Sequence, residues 1–420
     1  MSLIFCLSAI LTDFRPLFKY QNFHLFCVFV VGLIKQREGA TLTGIYQAVR
    51  PKTGYPSLVK FLSRGKWDAD RVAHHLLKLL QGCFDNWVYV YDETQALKTG
   101  ETQFGLHFFR NHRYRTRNTN QSKFHHGHQF GALGLLCSTF HETILFPVFV
   151  KLMCPQTKRD NSESVLKRMC SRIPAGLIIF DRGFARQKVF GCVLKAGHHL
   201  LCRAKSNAVF YRLPTAAKQS KPGRPKRYGK RIHLPYLRYT TTDIDGKQYA
   251  IASRVARTKM CPQPVRVVVI RTRDKRRKPF RYFCVFTTDL TLDLPQIVRY
   301  YQKRWLMETA FRDTKQHFGF DTYRVKCRKS INRFVQLSFV ASCITQLLFA
   351  VTSHTDTPVT IEQVTQTLGI DWYRPAKLTR GLMVRYLRTL MGNGLVSAMF
   401  GKNSNPDDIQ QTLDRATSRK

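Results

Sequence analysis

From Trp87 onward the apolar residues change period, and this change constrains the fold more than any other feature. Trp87-Val88-Tyr89-Val90-Tyr91 alternates as a strand does, with Asp92 directly after it. His128 to Cys137 and Ile144 to Met153 read as the next strands. Helix and strand then alternate. Glu163 to Cys170 reads as helix, Leu177-Ile178-Ile179-Phe180 as a buried strand ending in Asp181, Ala185 to Lys195 as helix and His198 to Ala204 as strand. Strands that first meander and then alternate with helices predict an α/β fold built on a mixed sheet. Upstream, Thr41 to Tyr46, Tyr55 to Leu62 and Asp68 to Leu80 carry apolar residues at helical spacing. Residues 1–85 therefore read as a helical N-terminal domain. Its Lys/Arg-rich joints fit a DNA-binding module, and a plain helical cap fits equally well.

Charge narrows the function classes. The chain sets 69 Lys and Arg against 26 Asp and Glu, a net charge of +43. Such an excess excludes an ordinary metabolic enzyme surface and points to a polyanionic partner, most simply nucleic acid. Aromatic residues at 12% argue against disorder. None of the twelve cysteines stands at a zinc-type two-residue gap from another, so reduced core thiols of a cytoplasmic protein are the expectation. The apolar run Phe23 to Ile34 is shorter than the roughly 20 residues a bilayer-spanning helix needs. The run Leu3 to Leu11 lacks a basic start and a small-residue cleavage site. Both read as buried helices, with no membrane partner.

Between 206 and 280 the chain turns basic and β-rich. Lys221 to Arg231 holds six Lys and Arg and no acid. Gly223-Arg224-Pro225, flanked by Lys226 and Arg227, has the form of a hook for a narrow minor groove, and a solvated basic loop is the plainer reading. The stretch divides an α/β core of residues 86–205 from its continuation at 281–330, and residues 331–420 read as a helical C-terminal region with a loose tail. Three neighbouring histidines, His125, His126 and His128, have no Cys or acid partner nearby in sequence, so core or DNA-facing positions are expected rather than metal ligation.

In so acid-poor a chain, carboxylates at strand ends are informative. Asp92 and Asp181 each follow an apolar strand, where α/β sheets commonly place their sites. Leu294 to Phe318 reads as one long helix carrying Tyr301, Arg304, Glu308 and Lys315. Offsets of 3, 4 and 7 residues put all four on one face. One acid among a phenol, a guanidinium and an ammonium suits a surface that holds a cation and phosphate oxygens. An ordinary i,i+4 ion pair, worth a few tenths of a kcal/mol, is the plainer alternative. Glu93 points to the opposite face if the strand continues, and so stands outside this set.

The spacing Tyr301-(two)-Arg304-(three)-Glu308-(six)-Lys315 resembles the signature of the Y-R-E-K subgroup of insertion-sequence DDE transposases. Phe180-Asp181-Arg182-Gly183-Phe184 resembles the context of their second catalytic aspartate, and Tyr91-Asp92-Glu93-Thr94 that of the first. The resemblance covers residues 86–330. It implies an RNase H-like mixed-sheet core interrupted by a β-rich insertion, with Asp92, Asp181 and Glu308 as catalytic and metal-binding acids. Two Mg²⁺ ions are implied, with Mn²⁺ able to substitute; three carboxylates without His or Cys suit that hard ion. Tyr301, Arg304 and Lys315 would contact DNA, as would Arg224, Lys226 and Arg227 of the insertion. The implied partners are double-stranded DNA, as transposon terminal repeats and target, and a second protomer in the DNA complex. The implied location is the bacterial cytoplasm, at the nucleoid. Hairpin-forming members carry a tryptophan shortly before the last core strand; here the region offers Phe280, Tyr282 and Phe283 instead. A catalytically silent DNA-binding remnant and a metal-dependent nuclease without strand transfer are the competing readings.

Overall fold

The computed structural model describes residues 3–36, 40–111, 114, 122–138, 143–214, 226–273, 280–352 and 358–391. The N-terminal fifth is helical: α1 (Leu3–Asp13), α2 (Tyr20–Lys35), α3 (Leu42–Val49), α4 (Tyr55–Ser63) and α5 (Ala69–Cys83). Local chemistry fixes several starts. The Thr41 hydroxyl accepts from the Gly44 N–H to cap α3, and the Asp68 carboxylate accepts from the Asp70 and Arg71 N–H groups to cap α5.

Strands and helices then follow in the order β1 (Trp87–Leu97), β2 (His107–Arg110), β3 (Phe124–Ser138), β4 (Thr143–Met153), α6 (Ser162–Cys170), β5 (Leu177–Phe180), α7 (Gln187–Lys195) and β6 (His199–Arg203). The basic stretch contributes β7 (Phe210–Tyr211), β8 (Arg231–Ile232), β9 (Thr240–Ile244), β10 (Lys247–Thr258) and β11 (Cys261–Arg273). β12 (Phe280–Thr287), α8 (Leu294–Lys303), α9 (Leu306–Phe318), α10 (Arg328–Thr352), α11 (Ile361–Thr367) and α12 (Arg380–Leu390) complete the described chain.

The strands form one mixed sheet in the order β2-β3-β1-β5-β6-β12-β11-β10-β7-β8, with β4 on β3 and β9 on β10. β1 lies between an antiparallel β3 and a parallel β5, and β5 is parallel to β6. The strands of the basic stretch join this sheet directly, through β12 pairing antiparallel with β6 and β11 with β12. β1 does not stop before Asp92, as the alternation suggested, but pairs with β3 as far as Leu97. Its later residues mix polar Glu93 and Gln95 with buried Thr94 and Ala96, and it is pairing along the whole of β3 that holds them extended.

Two glycines on β3 set the distances to the covering helices. A Cβ at Gly131 would stand 2.6 Å from the Tyr91 hydroxyl and 3.1 Å from Val165 of α6. A Cβ at Gly134 would stand 2.9 Å from Leu145 and 3.0 Å from the Met307 sulfur of α9. Residues of opposite parity face opposite sides of the sheet, so α6 covers one face and α9 the other. The bare Gly134 lets the first turn of α9 settle against the strands.

α10 is the hub of the helical layer. It packs on α1, α2, α4 and α5 as well as on β4. By length and hydropathy it could cross a membrane, but 94% of its most apolar window is buried inside the protein, so its apolar character is that of a core helix. Arg333 on α10 is only 2% exposed. Its guanidinium donates to the carbonyls of Phe61, Leu62 and Gly65 at 3.1, 2.9 and 2.8 Å and also to that of Trp67, whose ring it covers at 4.3 Å. One cation thus satisfies the carbonyls around the C-terminal end of α4, where the helix dipole favours positive charge. The same contacts tie the N-terminal helices to the core.

Candidate active site

The backbone register brings the first two aspartates together. Tyr91 of β1 pairs with Phe180 of β5 in parallel, so Asp92 and Asp181, the next residues of each chain segment, emerge side by side. Glu308 reaches them from the first turn of α9, on the side of the sheet that Gly134 leaves open. The single long helix expected over 294–318 is in fact two. The ladder tightens at the joint into i→i−3 bonds: Arg304 N–H to Tyr301 O at 3.2 Å, Met307 N–H to Arg304 O at 3.0 Å and Glu308 N–H to Trp305 O at 3.0 Å. Arg304 stands at this joint with its side chain turned in among the acids, while Trp305 is exposed.

Arg304 is the centre of the constellation. Its Nη1 lies 3.2 Å from Asp92 Oδ2, its Nη2 2.9 Å from Glu308 Oε1 and its Nε 4.0 Å from Asp181 Oδ1. The Asp92 contact joins residues 212 positions apart in the chain. The Tyr301 hydroxyl donates to Asp181 Oδ1 at 3.2 Å, and its ring packs on Phe283 with centroids 5.4 Å apart. Lys315, two turns beyond Glu308, donates to the Gln95 carbonyl at 2.6 Å. A cleft of about 620 Å³ opens between β1 and α9, lined by Asp92, Glu308, Arg312, Lys315 and Asp321 among others.

Burial drives the electrostatics. It pushes the Asp92 carboxyl up to about 6; the Glu93 N–H and Arg304 pull it down, and Glu308 and Asp181 push it further up. Burial opposes the charge on Arg304, but its bond to Glu308 and the nearness of Asp92 and Asp181 outweigh that and raise its pKa. The Tyr301 phenol is raised by burial and by Asp181. The Lys315 ammonium is lowered by burial.

The donor set suits a hard divalent cation: three carboxylates, no thiolate and no imidazole. Their oxygens already converge on one positive charge, the guanidinium, and desolvation of the half-buried Asp92 keeps its pKa raised despite that charge. As they stand, the carboxylates surround Arg304 rather than one shared point. Among the described residues no group of three His, Cys, Asp or Glu closes on a single ion position.

Other residues singled out in the sequence lie elsewhere. Glu93 borders the cleft, but its carboxylate is turned to the α6 side, accepting from Gln129 at 2.7 Å and from the Ser162 hydroxyl of α6. His128 is buried, bonded to the Tyr323 hydroxyl at 2.6 Å and the Phe104 carbonyl at 3.0 Å, and burial lowers it to about 4. That is a core histidine. Phe283 is held between Tyr301 and the Arg203 guanidinium, 4.6 Å from its ring, whereas Phe280 is exposed beneath Arg271. Lys226 and Arg227 are exposed in the segment leading into β8, which lies seven strands from β1 in the sheet, so the fold does not bring them to the acids. Arg224 lies outside the described residues. What sequence reasoning missed is the position of Arg304. The i,i+4 spacing to Glu308 announced one ion pair, but no local signal announced the two aspartates on the other side of the guanidinium.

No curated protein matches the chain. A family model described as a transposase DDE domain matches residues 113–344, more than half of the chain. The match takes in Asp181, Tyr301, Arg304, Glu308 and Lys315 and begins after Asp92, which the Arg304 contact joins to the others. With its mixed sheet, its covering helices and this match, the chain belongs to the transposase DDE domain family.

Proposed function

We propose that the protein is a DNA transposase of the Y-R-E-K subgroup that cleaves transposon ends and joins them to target DNA, with Asp92, Asp181 and Glu308 as its catalytic acids. The observation that carries this reading is the convergence of three carboxylates, from β1, the end of β5 and α9, on the single guanidinium of Arg304.

Each side chain has a part. Asp92, Asp181 and Glu308 would hold Mg²⁺ or Mn²⁺. Bound there, two such ions would neutralise charge on the attacking and leaving oxygens and acidify the attacking water. Tyr301 orients Asp181 through its hydroxyl. Arg304 keeps the acids together while the cleft is empty of DNA, and on binding it can transfer its donors to a phosphate, for which a planar guanidinium is well shaped. Lys315, within the same cleft, supplies a second phosphate contact. Water attack on a phosphodiester at the transposon end would break its P–O3′ bond, leaving a 3′-hydroxyl and a 5′-phosphate. That hydroxyl would then attack a target phosphodiester, joining to its phosphorus and expelling the target strand's 3′-hydroxyl.

The partners in this reading are double-stranded DNA, as terminal repeats and target, and a second protomer in the DNA complex. The setting is the bacterial cytoplasm, at the nucleoid. Lys226 and Arg227, on the far edge of the sheet from β3, extend the contact along the duplex. The test is incubation of the protein and Mg²⁺ with DNA carrying the flanking ends of its own element and a labelled target. Cleavage followed by a covalent end–target product is expected. Cleavage without joining would reduce the protein to a nuclease, and neither product would contradict the reading.

A further inference from the structure

β3 runs three residues beyond the register of β1, which ends at the Leu97–Gly127 pair. There it forms a two-stranded ribbon with β2, in which Phe108 pairs with His126 and Arg110 with Phe124. Directly opposed residues share a face, so Phe108, Arg110, Phe124 and His126 make one surface. It is open: Phe108 is 72% exposed and Phe124 49%. The Phe108 and His126 rings stand 4.7 Å apart, and the Lys123 ammonium lies 5.8 Å from the Phe124 ring. On the reverse face His107 is buried and Phe109 and His125 are partly so. The ribbon has partly covered one of its faces; on the other, His126 is half-buried beside the Lys98 carbonyl while Phe108 and Phe124 stand open.

Exposed aromatic rings alternating with cations ask for a partner. Charge selects its class. Of the described residues in the ribbon and at its ends, Arg110 and Lys123 carry the formal charges and none is Asp or Glu. A second copy of a chain carrying +43 is repelled from such a surface, and a polyanion is drawn to it. Position agrees. Asp92 pairs with Ala132, and residues 132, 126 and 124 have the same parity along β3, so the open rings continue the sheet face that carries Asp92. At about 3.3 Å per residue His126 lies roughly 20 Å and Phe124 roughly 26 Å along the strand from that point. DNA seated on the acids would reach the ribbon after about six to eight nucleotides at about 3.4 Å each.

We propose that the β2–β3 ribbon is a second DNA contact, in which Phe108 and Phe124 stack on bases whose faces are open while Arg110 and Lys123 hold the neighbouring phosphates. In a regular duplex each base is covered by the next, so flat rings on a strand surface select unpaired ends or distorted steps. Aromatic side chains borne on a sheet stack single-stranded bases in this way. The inference rests on the transposase reading for DNA as substrate and adds where, and in which form, a second segment is held.

The test compares the full chain with Phe108→Ala/Phe124→Ala in EDTA, so that nothing is cut. The probes are a blunt duplex and the same duplex with a single-stranded tail containing 2-aminopurine. The variant is expected to bind the tailed probe roughly ten-fold or more weakly, to lose the stacking change in fluorescence, and to bind the blunt duplex within about twofold of the parent. Phe108→Tyr/Phe124→Tyr should restore the tail preference, which a merely damaged fold would not allow. Equal affinity and equal fluorescence for variant and parent would overturn the inference, as would a DNA-independent change in oligomeric state, which would give the ribbon to a protein contact. If the parent bound neither probe, the transposase reading itself would fail, a distinct outcome.

Discussion

Replacing Arg304 by Gln removes the one cation at the centre of the acids. The Arg304 and Asp92 side chains are 14% and 17% exposed, so their contact is largely desolvated, and losing a charged hydrogen bond of that kind costs about 2–3 kcal/mol. Glu308 is 59% exposed and adds only about 0.5 kcal/mol. The sum is about 3 kcal/mol. At about 2.1 cal/mol/K per residue the unfolding entropy of 420 residues is about 0.9 kcal/mol/K, so Tm should fall by about 3 °C in the absence of metal. This destabilisation requires an ionised Asp92. The folded pKa of Asp92, raised to about 6, means that burying its charge penalises the fold increasingly as pH rises from about 4 through 6. The variant, lacking the guanidinium, should therefore fall furthest behind the parent above pH 6 and draw level with it as pH drops towards 4. Added Mg²⁺ should raise Tm more in the variant than in the parent, because no internal cation competes for the carboxylates. Thermal scans with and without Mg²⁺ at pH 5 and pH 8 read all of this. An unchanged Tm together with an unchanged Mg²⁺ response would refute the view that Arg304 holds the acids in place of metal.

Two further outcomes follow from the packing and the charge. Arg333→Met removes the donor shared by the carbonyls of Phe61, Leu62, Gly65 and Trp67; Phe61 and Gly65 keep bonds from Trp67, so the cost should be about 2–4 kcal/mol, read as a shift in the denaturation midpoint. A shift below about 1 kcal/mol would show that water replaces the guanidinium. Replacing Lys221, Arg224, Lys226 and Arg227 together by Gln should weaken DNA binding and flatten its salt dependence, by about 0.9 in log K per log unit of salt for each phosphate that is no longer neutralised. Parallel salt plots would remove the insertion from the interface.

Much of the architecture was legible because periodicity reports burial directly. β5 is four fully apolar residues ending at Asp181, and α6 and α7 are amphipathic over nearly the spans their patterns indicate. The residues at the end of β1 were harder to read: Glu93 and Gln95 look like loop, and only pairing along β3 makes them strand. The break between α8 and α9 was invisible for a similar reason. No Gly or Pro marks it, and the offsets of 3 and 4 residues that align Tyr301, Arg304 and Glu308 survive a tightened turn as well as a regular helix. The contacts of Arg304 with Asp92 and Asp181 were out of reach altogether, since they depend on where α9 docks, and Gly134, which permits the docking, carries no sequence signal beyond being small. His128 was easier: without a Cys or acid near it in sequence it was expected in the core or facing DNA, and it is buried and satisfied by a hydroxyl and a carbonyl.

The central claim is that Asp92, Asp181 and Glu308 act together as the metal-holding acids of a DNA-cutting site. Its most direct test is to change each singly to Ala and measure, on one transposon-end substrate, both DNA affinity and Mg²⁺-dependent cleavage. Cleavage should fall to background in all three variants while affinity stays close to that of the parent, because the acids hold cations rather than DNA. Near-parental cleavage in any one of the three, or undiminished cleavage by the parent in EDTA, would contradict the account.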